Sequence, residues 1–282
     1  MYIAPPRRFD RESGALRRLE RRVFEKPWGR TDLPRAFGDM DGRRIGEIWY
    51  IHPDGDAAPF MIKYLFTSER LSIQVHPDDN AARASGLPFG KDECWLVLGA
   101  EDGARLGVGL KRDSDAATLR AAALDGSIVD MVEWRAAAKN DFIYNPAGTI
   151  HAIGGGLTIV EVQQNVDRTY RLYDYGRPRE LHLEEGLAVA TPAPVRDARD
   201  CRVDPAETRQ LVDGPHFEVL HLVGPVDHAS IAGVSGELTL LPLSSGCYAA
   251  GETVRFGEAV LVDDAALIDI APGARALLCW AA

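Results

Sequence analysis

Asn145-Pro146-Ala147-Gly148-Thr149-Ile150-His151-Ala152 is the stretch on which the reading of the fold depends. Pro146 fixes φ and Gly148 permits a tight bend, so the segment reads as a turn that delivers His151 onto the next strand, projecting inward. Short runs rich in β-branched and aromatic residues flank it, at 141–145 (DFIYN) and 157–162 (LTIVEV). Further out lie 44–52 (RIGEIWYIH), 60–66 (FMIKYLF), 71–76 (LSIQVH) and 94–98 (CWLVL), each bounded by Gly, Pro, Asn or Asp. Such runs predict strands. Helical patterns are rarer: 79–84, 113–123 opening on the N-cap candidates Asp113-Ser114-Asp115, and 184–190. Many short strands with turn signals predict a mainly β sandwich, jelly roll or barrel.

The 282 residues, 46% hydrophobic, suffice for one large or two modest domains. Composition shifts to a linker at Thr191-Pro192-Ala193-Pro194, and strand-like runs resume at 216–223, 237–243, 246–249, 259–262 and 276–280. The expected division is a catalytic domain over 1–190 and a smaller C-terminal β domain over 191–282. A net charge of −10 disfavours general nucleic-acid binding, since phosphate neutralisation needs a basic face. It leaves room for one small anionic ligand in a local basic pocket. Cys94, Cys201, Cys247 and Cys279 form no CxxC pair and read as small core residues in a reducing compartment. No apolar run approaches the ~20 residues of a membrane span, and no h-region follows the arginine-rich start. A cytoplasmic protein is expected. Arg7, Arg8, Arg11, Arg17, Arg18, Arg21 and Arg22, with Glu12 and Glu20, are expected to form a solvated helix face.

Gln74-Val75-His76 places two donors two residues apart, on one face of a strand that Pro77 then stops. A lone strand histidine is ordinarily structural; a glutamine on the same face makes the pair a candidate ligand set. Glu93 precedes an apolar strand, where a carboxylate needs a cation or stays at the rim. With His151 these residues make an N2O2 set that suits zinc, with manganese, iron or cobalt as alternatives. The P-x-G-x-x-H turn itself matches the second metal-binding motif of the cupin barrels. After it, residues 161–177 are dense in charge and aromatics: Arg171 and Arg177 suit a phosphate, with Glu161 and Asp167 to position them or move protons. The competing reading of that segment is a solvated salt-bridge edge.

These blocks together resemble the type I mannose-6-phosphate isomerases, zinc-dependent cupins, in their short bacterial form without the large helical insertion. The resemblance rests on 25–29 (EKPWG), 46–49 (GEIW), 59–63 (PFMIK), 69–80 (ERLSIQVHPDDN), 90–98 (GKDECWLVL), 145–154 (NPAGTIHAIG) and 161–177, in the family's order. It implies a cupin jelly-roll catalytic domain, a smaller cupin-like C-terminal β domain, and one zinc held by Gln74, His76, Glu93 and His151. It also implies that Lys91 and Arg171 are active-site residues with Asp167 beside them, that Arg177 is a second phosphate-directed cation, and that Glu161 and Lys63 line the pocket. Three positions depart from the family pattern. Gly90 stands where longer members carry a ring-opening histidine, Val166 where a serine is usual, and Asn140 where the cupin motif usually has glycine.

The implied reaction interconverts mannose 6-phosphate and fructose 6-phosphate by moving a proton between C1 and C2 through a cis-enediol. Lys91 is the first choice of base and Glu161 the second. Arg171 would orient the substrate oxyanion, and Arg177 with Lys63 would hold the phosphate. The expected partner is a small sugar phosphate, with no nucleic acid and no membrane. No dinucleotide loop is present, because Gly154-Gly155-Gly156 follows the histidine rather than a Rossmann strand. The alternatives are an isomerase acting on a different hexose phosphate and a non-catalytic sugar-phosphate-binding cupin. The second is disfavoured by the joint presence of all four ligands, Lys91 and Arg171.

Overall fold

The computed structural model describes residues 16–234 and 236–282. Among these, strands dominate and helices are few and short. One sheet has seven strands in the order Cys201–Arg202, Asp141–Asn145, Glu93–Ala100, Leu157–Gln164, Phe60–Thr67, Ile45–Ile51 and Glu20–Arg30. A second has five: Tyr170–Tyr173, Ile73–Val75, His151–Ile153, Arg105–Leu110 and Val132–Ala136. Their interiors meet, with Leu65, Trp95, Val97 and Ile159 of the first packing with Leu106, Val108 and Ile153 of the second. This is the mainly β, cupin-type arrangement that the sequence anticipates.

The central strands are apolar on both faces for a physical reason. Odd-numbered residues such as Leu65, Trp95 and Ile159 point to the second sheet. Even-numbered Ile62, Tyr64, Phe66, Cys94, Leu96, Val160 and Val162 join a different cluster with Phe217, Leu241, Leu277 and Cys279. A sheet covered on both faces needs apolar residues at both phases of the alternation. Only where the inner face of these strands meets the cavity do charged residues enter that phase, at Lys63, Glu93 and Glu161.

The C-terminal residues build a six-stranded sheet, ordered Leu16–Arg18, Val260–Val262, Leu238–Pro242, Arg275–Ala281, Phe217–Val223 and Arg209–Val212, and a three-stranded one. The Leu16–Arg18 strand pairs with Val260–Val262, and the chain then crosses directly into Glu20–Arg30 at the edge of the seven-stranded sheet. That corrects the expected N-terminal helix for Arg17, Arg18, Arg21 and Arg22. Arg18 reaches Glu252 and Glu258, and Arg17 reaches Glu237, so the charges serve long-range pairing rather than one helix face. Arg7, Arg8, Arg11 and Glu12 lie outside the described residues.

Other expectations hold. The helix Ala116–Asp125 is capped by Asp115, whose carboxylate accepts from Thr118 N, and it ends at Gly126 with φ +86°. Asn140, at the family's glycine position, has φ +70°, a left-handed conformation that asparagine tolerates better than most residues. The strand Arg105–Leu110 (RLGVGL) escapes sequence reading because its glycines weaken the β signal. Gly107 is required by close packing, since a Cβ there would lie 2.7 Å from Val132 Cγ1.

Candidate metal centre and its cavity

Strand register assembles the site as facing rows. In the seven-stranded sheet, Trp49, Lys63, Glu161 and Trp95 lie directly opposite one another across four strands. One step along, Gln163, Glu93 and Asn145 form a second row. In the five-stranded sheet, Arg171, Gln74 and His151 are in register. The rows face each other across a cavity of about 150 Å³ lined by Lys63, Gln74, Lys91, Glu93, Glu161 and Arg171, among others.

His76, Glu93 and His151 are each 1% exposed and converge on one point. Glu93 Oε2 lies 3.4 Å from His76 Nε2, and Oε1 lies 3.3 Å from His151 Nε2. Each imidazole Nδ1 sits 2.8 Å from a backbone carbonyl, Arg168 O for His76 and Thr149 O for His151. A carbonyl only accepts, so both rings carry the proton on Nδ1 and turn the Nε2 lone pair inward. That is the tautomer a metal-bound histidine adopts. Burial, and then Lys91, push the His76 pKa down to about 3; burial also lowers that of His151. Both rings are neutral and free to ligate at neutral pH. The Gln74 amide lies 3.3 Å from His151 Nε2, its other end accepting from Ser72 Oγ at 2.9 Å.

A cation already marks the spot. Lys91 Nζ lies 3.0 Å from His76 Nε2 and bonds Glu93 Oε2. Burial works against the Glu93 carboxylate, yet the Lys91 ammonium holds its pKa well below the ordinary range. Two nitrogen donors, one buried carboxylate and one amide, without thiolate, fit a divalent metal such as zinc. A second His–carboxylate group, His52 with Asp54 and Glu237, is partly exposed. There Arg17 and His52 themselves satisfy Glu237.

Charge alternates away from this centre. Lys91 Nζ is 3.7 Å from Glu161 Oε1, and Lys63 Nζ is 2.9 Å from the same oxygen. Trp95 Nε1 donates to Glu161 Oε2 at 3.0 Å. Farther on, Glu47 accepts from Trp49 Nε1 at 2.6 Å and pairs with Lys26 at 3.1 Å. Burial disfavours the Lys63 ammonium, but Glu161 and Glu47 more than offset it and its pKa is raised. At the other end Arg171 faces Arg179, and its pKa is lowered by burial and then by that neighbouring guanidinium.

Most of the residues expected at the site meet here: Lys63, Gln74, Lys91, Glu93, Glu161, Asp167 and Arg171 line the cavity, and His76 and His151 stand behind it. Arg177 does not. It lines a separate surface depression with Ser68, Glu69 and Arg70, and bonds Glu69, Asp174 and Arg70 O. Arg179 occupies the cavity instead, gripped by both oxygens of Asp174 at 2.6 and 2.7 Å. Extending strand alternation from Arg171 to Arg177 fails because the strand stops at Tyr173. Tyr175 and Gly176 then take φ of +55° and +78°, which reverses the chain. The sequence signal for Arg179 is faint: one more arginine beside a proline. Gly90 is explained by space, since a Cβ there would lie 2.6 Å from the backbone of Asp78 and Asp79. No histidine fits at that position.

A mannose-6-phosphate isomerase of Streptococcus mutans is 32% identical over 242 residues, which cover 71% of this chain and 76% of that protein. The chain belongs to the mannose-6-phosphate isomerase family. The crystal structure of the Bacillus subtilis mannose 6-phosphate isomerase superposes with a TM-score of 0.76 at 24% identity, over 95% of this chain and all (100%) of that one. A mannose 6-phosphate isomerase solved in a zinc-bound holo form superposes at a TM-score of 0.70 and 14% identity, covering 95% of this chain and 100% of the other. At those identities the two superpositions establish a shared fold. No protein-family model matches the chain.

Proposed function

We propose that the protein is a metal-dependent isomerase that interconverts mannose 6-phosphate and fructose 6-phosphate by proton transfer between C1 and C2 through a cis-enediol. One observation carries this reading. A buried His–Glu–His donor set, with Gln74 beside it, adjoins a cavity that holds two Lys–Glu pairs and two arginines. Family membership supports the substrate. The donor chemistry and the zinc-bound relative support one zinc per chain, with other divalent metals as substitutes. Bound there, the metal polarises substrate oxygens and stabilises developing enediolate charge. The catalytic residues fall within 1–190, and the second β unit is built mainly from 191–282, with Leu16–Arg18 joining its sheet and Cys201–Arg202 joining the catalytic one. The four cysteines are free thiols, which suits a reducing cytoplasm.

The chain's own residues divide the work. Lys91, between Glu93 and Glu161, holds or moves the proton at C1 and C2, with Glu161 as the other carrier within 3.7 Å. Lys63 is paired with Glu161 at 2.9 Å and lies 5.3 Å over the Trp49 ring, so it holds that carboxylate in place. The positive charge at the other end of the cavity comes from Arg171 and Arg179. Among the described residues Arg171 makes no ion pair, and Arg179 shares the Asp174 carboxylate with Arg177. That end of the cavity holds the substrate phosphate, with Asp167 at its exposed rim.

Two measurements test the assignment. A coupled assay is expected to show conversion of mannose 6-phosphate to fructose 6-phosphate that a chelator removes and zinc restores. A faster rate on another hexose phosphate would shift the substrate, and no conversion of any would favour the non-catalytic binding module. Arg179→Ala is expected to raise KM for mannose 6-phosphate at least ~10-fold, from the ~1.5–3 kcal/mol of a hydrogen bond to a charged group. Arg177→Ala is expected to leave KM near wild type; the reverse pattern would return the phosphate to Arg177.

A further inference from the structure

Lys91 and Glu93 flank a residue that no step of the mechanism uses. Asp92 points away from the cavity. Its Oδ2 accepts from Tyr144 Oη at 2.5 Å and its Oδ1 from Ala147 N at 2.9 Å. Ala147 belongs to the Pro146–Gly148 turn that delivers His151, and Tyr144 is the penultimate residue of the strand feeding that turn, next to Asn145. Asn145 Nδ2 in turn donates to Glu93 Oε1 at 2.9 Å. The backbone around Asp92 is tied as firmly. Gly90 N donates to Asp79 Oδ1 at 2.8 Å, Lys91 N to Pro77 O at 2.9 Å, and Asp92 N to Gln164 Oε1 at 2.8 Å. The far side is closed by residues from beyond the catalytic stretch. The Arg199 guanidinium lies 3.3 Å over the Tyr144 ring, and His216 Nε2 is 3.9 Å from Asp92 Oδ2.

We propose that Asp92 is a positioning residue for the metal centre, a clamp that fixes the Lys91–Glu93 segment against the turn presenting His151. The ligands come from separate strands, so their spacing depends on whatever joins those strands behind the cavity. Asp92 supplies that join with two bonds from one carboxylate, one to each side of the bend. Asparagine can mimic both bonds, its oxygen accepting from Ala147 N and its NH2 donating to Tyr144 Oη, so alanine is the substitution that removes the join. The inference rests on the metal-centre reading above and adds to it a residue that touches neither metal nor substrate.

The experiment titrates metal-free wild type, Asp92→Ala and Tyr144→Phe with zinc against a competing chelating dye, and records Tm of the metal-free proteins. Loss of a group that orients ligands from behind is expected to weaken zinc binding ~10–100-fold in Asp92→Ala. Tyr144→Phe, which loses one bond and keeps the packing, is expected to weaken it less but at least several-fold. In both variants kcat is expected to fall at unchanged KM. A merely structural role would lower Tm and leave zinc affinity alone. Affinity within two-fold of wild type in a folded Asp92→Ala overturns the clamp. Should that variant not fold, the same result in Tyr144→Phe overturns it. Wild type that retains no zinc overturns the metal-centre reading instead, so the two failures are distinguishable.

Discussion

Replacing Glu93 by alanine is expected to strip the centre of its metal and to lower isomerase turnover by ~10³-fold or more. Glu93 is the one carboxylate between the two Nε2 lone pairs, at 3.4 and 3.3 Å. Metal stabilisation of developing charge is worth several kcal/mol, and each ~1.36 kcal/mol is a factor of ten in rate. A second consequence follows from burial. Lys91 is 4% exposed, and without Glu93 its nearest remaining carboxylate is Glu161 at 3.7 Å. Breaking a buried ion pair from one side costs ~3–5 kcal/mol, so a lower Tm is expected as well. Glu93→Gln keeps the shape but removes the same charge, so metal loss is expected with a smaller fall in Tm than in the alanine variant. Metal content after dialysis, turnover and Tm, measured on the same preparations, check the prediction. Full activity in a metal-free Glu93 variant would defeat the metal-site reading.

Lys91→Ala is expected to lower kcat ~10²–10⁴-fold, the range that a positioned general acid or base contributes. Lys91 Nζ is the group that touches the metal-binding face and Glu161 at once, since it bonds Glu93, lies 3.0 Å from His76 Nε2 and stands 3.7 Å from Glu161 Oε1. The informative comparison is with Glu161→Gln, which keeps the Trp95 contact and removes the carboxylate charge between Lys63 and Lys91. Solvent deuterium incorporation into substrate reports the proton transfer apart from product release. Turnover near wild type in Lys91→Ala, with exchange intact, would remove Lys91 as base and leave Glu161 with that role. Loss of exchange in Lys91→Ala alone would confirm the order of preference.

Much of the candidate site is legible in short motifs because the chemistry is local. Gln74 and His76 share a face by strand alternation, and the Pro146–Gly148 turn aims His151 inward whatever lies elsewhere. The helix cap at Asp115 and the strand Asp141–Asn145 are equally local. What sequence reading misses lies where distant segments compete. Arg17 and Arg18 look helical beside their chain neighbours, yet Leu16–Arg18 is a strand because Val260–Val262 offers it an open edge. Lys26 and Glu47 lie in blocks that carry the family resemblance, yet only register across neighbouring strands brings them to the cavity.

The amino-acid sequence by itself determined the mainly β class, through strand alternation and turn signals; it offered Gln74, His76, Glu93 and His151 as candidate ligands and Glu161 and Arg171 as charged neighbours, while Lys91 came from the family resemblance. Only the tertiary structure decided that Arg179 rather than Arg177 enters the cavity, and that Gly90 admits no side chain. It alone showed Asp92 joined to the His151 turn. Those three outcomes depend on where two left-handed residues reverse the chain, how closely the 77–79 backbone passes Gly90, and which strand lies next to Asp92. They are facts of three-dimensional contact between segments far apart along the chain, and no periodicity in one segment encodes the position of another.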